Sequence, residues 1–265
     1  MALNEIFFEF SNKDRFDLFK CLYNEKKRHS ELEKELKIPG PEISRHLSRL
    51  LKKKLINKTG DKLYEMTEIG RIFYRVMNIL KTSLKYEEFF NSHEVNSIPL
   101  NFILQLGTLK SIKVNDKTMH NIDMWSKIIK ESDKFIFAIT DEFQDSLLPI
   151  VEKKLNYQSI EIRAIIAKNV LNSSSHESFK DRHKFYEKMD IFQNIRVLDD
   201  INVSLIVSDK GAIIFLGKEG KIDYSECING SDITFLNWSK DLFKWYWKIG
   251  ASLDNFIKKK FYNIG

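Results

Sequence analysis

Between residues 43 and 62 the chain carries seven basic side chains and one acidic one, Asp61. Arg45 and Arg49 are four positions apart, so on a helix their guanidinium forks would share a face, and each fork matches a guanine edge or a phosphate. Ser44 and Ser48 add short polar groups of the kind that fit against base edges in a major groove. Lys52, Lys53 and Lys54 close the run, and Lys58 and Lys62 follow; compact ammonium charges of this kind suit phosphate contacts. A solvated basic helix face is commonplace, so the charge by itself does not define a site. The order of the elements around it does.

Ser11 followed by Asp14 reads as a helix start, with Phe16, Phe19, Leu22 and Tyr23 at helical spacing behind it. Ser30 and Glu33 repeat that arrangement ahead of Leu32, Leu36 and Ile38, and the second helix must stop at Pro39-Gly40. Gly40 can serve as a cap, Pro41 fits a first helical position, and Ile43, Leu47, Leu50 and Leu51 form the apolar stripe of a third helix. That third helix, about 41–53, turns Ser44, Arg45, Ser48, Arg49 and Lys52 outward. Leu55-Ile56 opens an extended stretch, and Lys58-Thr-Gly-Asp-Lys62 makes the turn of a basic hairpin, or wing, about 57–64. A capped helix, a Pro-Gly turn, a basic amphipathic helix and a basic hairpin in succession form the plan of a winged helix-turn-helix, which implies binding of double-stranded DNA.

Thr67 reads as the cap of a longer helix whose Ile69, Ile72, Phe73, Val76, Met77 and Leu80 alternate three and four apart, a stripe suited to a two-fold homodimer. Beyond about residue 91 the texture becomes mixed α/β. Strands are expected at 135–140, 161–167, 195–198, 203–207 and 212–216, and helices around 121–131, 142–155 and 176–189. A closing aromatic helix places Leu242, Trp245, Tyr246, Ile249 and Leu253 on one side, with Trp238, Phe243 and Trp247 off it, and core is its favoured use. The expected domains are therefore 1–67, a connecting or dimerisation helix 68–91, and 92–265 as an effector or assembly domain.

Composition narrows the functions further. Residues 1–67 hold 15 Lys+Arg against 11 Asp+Glu, while the remaining three quarters hold 28 against 26, so an anionic partner would meet the N-terminal end. Cys21 and Cys227, with no Cys-x-x-Cys spacing, read as two ordinary thiols rather than a disulfide framework or metal site. No apolar run reaches membrane-spanning length and the start lacks a secretory pattern, so the cytoplasm is the expected home and no membrane partner is expected. No Gly-rich phosphate loop, His-Glu-x-x-His or Gly-x-Ser-x-Gly motif occurs. No cofactor, metal or catalytic residue is assigned, and an enzyme is not expected.

The run Ile43-Ser-Arg-His-Leu-Ser-Arg-Leu50, then Leu55-Ile56, then Tyr64-Glu-Met-Thr-Glu-Ile-Gly-Arg71, resembles archaeal and bacterial winged-helix regulators of the arsenical-repressor type. Their usual pattern has glycine before the Leu-Ile pair. Lys54 stands there in this chain, so either the lysine is left-handed or the helix ends differently. His46 resembles the half-buried packing histidine of that family. The segments Val207–Leu216, Gly220–Tyr224 and Trp238–Trp247 are similar to the effector domain of archaeal methanogenesis-type winged-helix regulators. The two resemblances together imply an archaeal transcriptional regulator of α+β class, with a C-terminal domain akin to a catalytically empty phospholipase D-like fold. True enzymes of that fold carry His-x-Lys, whereas none of His29, His46, His93, His120, His176 and His183 is followed two residues later by lysine.

A small-molecule effector is a further expectation, with Asp141, Asp209 and Asp223 as polar pocket candidates whose plainer reading is turn or cap residues. Two alternatives stay open. One is a DNA-directed nuclease or phosphodiesterase; the other is a winged-helix module that docks an acidic protein.

Overall fold

The structure, a computed structural model, describes residues 2–142, 147–157, 160–169 and 191–253. The expected helix at 176–189 lies outside these. The chain divides into two compact units, residues 1–81 and 82–265, each with a separate hydrophobic core.

The first unit is a winged helix-turn-helix. Helices α1 (Leu3–Phe10), α2 (Lys13–Cys21), α3 (His29–Leu36) and α4 (Gly40–Lys52) are joined by a small sheet of β1 (Lys27–Arg28), β2 (Ile56–Lys58) and β3 (Leu63–Met66) in the order β1-β3-β2. Ile6, Leu18, Phe19, Leu32, Ile43, Leu47 and Leu50 interlock in its core. Three local details differ from the sequence reading. The first is α1, which precedes the expected first helix on Leu3, Ile6, Phe7 and Phe10, themselves three and four apart. The second is the α2 cap, which is Asn12 accepting from the Arg15 amide at 2.9 Å, while the Ser11 hydroxyl turns back to the Phe8 carbonyl. The third is the start of α3, which begins at His29 because the chain enters it straight from β1; Glu31 accepts from the Arg28 amide at 2.6 Å.

The end of α4 resolves the Lys54 question. Lys54 has φ 55°, its amide donates to the Leu51 carbonyl at 2.9 Å, and the Leu55 amide donates to the Leu50 carbonyl at 3.0 Å. This is a Schellman ending with lysine in the left-handed position that glycine usually holds, and it buries Leu55 beside Leu50. After the wing, Thr67 caps α5 (Glu68–Lys85) through its hydroxyl to the Gly70 amide at 3.0 Å. A Cβ on Gly70 would stand 2.3 Å from the Leu55 carbonyl oxygen, so glycine lets α5 start against the end of α4.

The second unit is a mixed sheet covered on both faces. Short helices α6 (Glu87–Ser92) and α7 (Leu100–Ile103) lead to β4 (Lys113–Asn115), α8 (Thr118–Glu131), β5 (Phe135–Thr140), α9 (Leu148–Tyr157) and β6 (Glu161–Ala167). Then come α10 (Ile191–Asn194), β7 (Ile195–Leu198), β8 (Val203–Ser208), β9 (Ala212–Lys218), β10 (Lys221–Ile222), β11 (Cys227–Gly230), α11 (Ile233–Ile249) and β12 (Ala251–Ser252). The order is β12-β7-β6-β5-β8-β9-β11-β4, with β10 on β9. Strands β5, β6 and β7 run parallel; the other pairs are antiparallel.

Strand register puts Phe137, Val207 and Ala212 side by side on one face, and Ser204 and Phe215 on the other. Phe243 of α11 stacks on Phe137 at 4.8 Å, and Trp125 of α8 meets Phe215 at 5.8 Å, so the two helices cover opposite faces. That is why β8 is buried along its whole length. The aromatic helix packs as core, through a face rotated from the expected one. Phe235, Trp238, Ser239, Leu242, Phe243 and Tyr246 are buried, whereas Trp245 and Ile249 face out. The sheet contacts, invisible in the spacing alone, select between two apolar stripes. Among the described residues no helix is long and apolar enough to cross a membrane.

Candidate nucleic-acid interface

Helix α4 is held at both ends. At its start, Lys37 turns the chain with φ 55° and the His29 ring bridges to the Gly40 carbonyl at 3.1 Å and the Ser44 hydroxyl at 2.8 Å. At its end stands the Schellman turn. Between them Ile43, His46, Leu47 and Leu50 are buried, which turns the opposite face outward.

That exposed face is formed by Pro41, Ser44, Arg45, Ser48 and Lys52. Arg45 reaches back to Glu42 at 2.7 Å, a surface pair one turn away. The Ser48 hydroxyl donates to the Ser44 carbonyl at 2.8 Å. Arg49 lies at the flank, half-exposed, and its guanidinium grips the buried Glu9 of α1 at 2.8 and 2.9 Å. Lys53 pairs with Glu5, also on α1, at 3.0 Å. On the wing, Lys58 is exposed with its ammonium 5.5 Å from the centre of the Tyr64 ring, and Lys62 is exposed at the hairpin tip with φ 60°.

The expected residues therefore fall into two groups. Ser44, Arg45, Ser48, Lys52, Lys58 and Lys62 are exposed on α4 and the wing, while Arg49 and Lys53 are committed to carboxylates of α1. Sequence reasoning missed Glu5, Glu9 and Arg15. Their one signal was the helical spacing of the first ten residues, which puts Glu5 and Glu9 on one side of a helix.

His46 is 1% exposed and its Nδ1 has no hydrogen-bond partner among the described residues. Burial holds its imidazole below the ordinary histidine value, and the Arg15 and Arg45 cations push the same way. It is a packing residue, neutral at physiological pH.

In the second unit, Asp209 accepts from the amides of Asp133 and Lys134 at 3.1 and 3.0 Å, and Asp223 accepts from the amide and hydroxyl of Ser225. Asp223 thus serves a local turn, whereas Asp209 ties the end of β8 to the backbone just before β5. Asp141 accepts from the Tyr224 hydroxyl at 2.5 Å, and Tyr224 lines a cavity of about 130 Å³ with Asn121, Trp125, Glu142 and Phe215. Asn121 is fully buried there, its amide donating to the carbonyls of Tyr224 and Ser225. On α5, Ile69, Ile72, Val76 and Leu80 of the expected stripe are exposed, whereas its Phe73, together with Tyr74, packs against the first unit's core.

Residues 120–249 match the family model described as "Methanogenesis regulatory protein FilR1, middle domain". Two solved structures align with the chain at low scores. One, described as TrmBL2, an archaeal chromatin protein with a novel mode of DNA binding, is 14% identical over 90% of this chain and 94% of its own, with a TM-score of 0.41. The other, the dimethyltransferase RosA from Streptomyces davawensis, is 8% identical over 70% of this chain and 60% of its own, with a TM-score of 0.23. At those scores neither bears on function. No curated protein matches the chain.

Proposed function

We propose that this chain, whose residues 120–249 match the model of the methanogenesis-regulator middle domain, is a transcription regulator that binds double-stranded DNA through its first unit. The observation that carries the reading is the exposed Ser44, Arg45, Ser48 and Lys52 face of α4, held by a capped turn on one side and a basic wing on the other. Ser44, Arg45, Ser48 and Arg49 read base edges, while the exposed Lys52, Lys58 and Lys62 hold phosphates. A homodimer joined along the Ile69–Leu80 stripe would present two such helices to paired half-sites. The second unit serves regulation or assembly, and no catalytic role is assigned.

Fluorescence anisotropy with the duplex upstream of the protein's own gene and with a scrambled duplex tests this. Wild type should prefer the first, and its affinity should fall steeply with salt. Arg45→Ala with Arg49→Ala should weaken binding, by about 1–3 kcal/mol for each base-contacting arginine, while Lys110→Ala, on the exposed surface of the second unit, should not. Indifference to DNA at matched salt would favour the protein-docking module, and plasmid cleavage by the pure protein would favour the nuclease.

A further inference from the structure

Glu9 occupies the last turn of α1, 3% exposed, with both carboxylate oxygens turned to arginines. Arg49 donates Nε–H at 2.8 Å and Nη2–H at 2.9 Å, and the Arg15 Nε lies 3.0 Å away. Arg15 is itself 5% exposed and donates to the backbone carbonyls of Glu9 at 2.7 Å and Phe8 at 3.2 Å. One carboxylate thus sits between two guanidinium groups, and the Phe8 ring lies 5.3 Å beneath the Arg49 guanidinium carbon. Hydrogen bonding from Arg49 keeps the Glu9 carboxyl ionised, against the opposing effect of burial.

The grip is side-on. It uses the Nε and Nη2 edge of Arg49, leaving Nη1 and the outer hydrogen of Nη2 as a second parallel pair of donors. That end-on pair is the fork that matches the O6 and N7 acceptors of guanine. Arg45 has no comparable support, since its partner Glu42 is a surface residue on the same helix.

We infer that Glu9 is a positioning residue for DNA reading, fixing Arg49 so that its outer N–H pair meets a guanine edge. The inference rests on the DNA-binding reading proposed above. Its benefit is prepaid order, because a free arginine loses rotamer freedom on binding whereas this one is already held. Its cost is a neutralised charge, which lowers the attraction of the same surface for any phosphate backbone. Glu9 therefore favours discrimination over indiscriminate affinity.

The experiment compares wild type, Glu9→Gln, Arg49→Lys and the double variant on two probes: a duplex that wild type selects from a randomised pool, and a scrambled duplex of equal composition. Glu9→Gln keeps the shape but cannot accept both Arg49 N–H groups. Arg49→Lys keeps the charge, loses the fork and leaves Glu9 paired with Arg15, so it stands if Glu9→Gln fails to fold.

Each single substitution should lower the ratio of selected to scrambled affinity by roughly 5- to 150-fold. Glu9→Gln should bind the scrambled duplex as well as wild type or better, and the double variant should be no worse than Arg49→Lys. A ratio undiminished in Arg49→Lys, or an equal loss on both duplexes, overturns the inference while leaving DNA binding in place. Failure of wild type to bind either duplex would overturn the proposed function as well.

Discussion

At the scale of single residues, His46 makes a statement about pH. Its imidazole is buried, without a partner at Nδ1 among the described residues, and held below the ordinary value of about 6.5, so the folded state refuses a proton that the unfolded chain accepts. The folded first unit is therefore fully stable above that value and loses stability as pH falls below it, by at most about 1.4 kcal/mol per pH unit from this group. Urea midpoints followed by circular dichroism should show the slope, and His46→Leu should flatten it. An unchanged slope in that variant would locate the proton uptake elsewhere. The same residue shows how a sequence can be read correctly through its neighbours: His46 lies beside Ile43 and Leu50 on a helical wheel, and burial followed from that.

At the scale of elements, α5 has two unlike sides. Arg71 donates to the Tyr23 carbonyl at 2.6 Å and Tyr74 packs on Tyr23 at 4.4 Å, which ties one side to the first unit. Ile69, Ile72, Val76 and Leu80 remain exposed on the other, and their three-four spacing is that of a helical seam. Ile72→Asp with Val76→Asp should therefore convert a dimer to a monomer in sedimentation equilibrium while leaving helix content unchanged. A wild-type monomer, or a variant that still dimerises, would remove α5 from the interface. Whereas α1 was not among the expected helices, element type was legible for α2 to α5, whose apolar stripes lie between turn or cap residues. Boundaries were less so: Ser11 and Asn12 are both competent caps, and only the position of Phe8, which takes the Ser11 hydroxyl, separates them.

At the scale of the whole molecule, all four tryptophans, Trp125, Trp238, Trp245 and Trp247, belong to the second unit, so their fluorescence reports its unfolding alone. Lys54→Gly relieves a left-handed lysine in the first unit, a strain on the order of 1 kcal/mol. It should raise the first unit's denaturation midpoint, seen by circular dichroism, without moving the tryptophan midpoint. A common shift of both signals would mean that the two units unfold as one.

The sequence by itself determined the winged helix, its basic outward face, the long helix after the wing and five strands of the second unit, because each is written in local periodicity, capping residues and turn chemistry. Tertiary structure decided the rest. The face of α11 that is buried depends on which side the sheet occupies. The added strand β1 depends on a partner thirty-seven residues away, Lys27 opposite Tyr64. Glu9 could meet Arg49 only once α1 had packed beside α4, since forty residues separate them. Charge pattern along the chain assigned Arg49 a free fork; the fold brought it a buried carboxylate, because an ion pair forms between neighbours in space and leaves no period in the sequence.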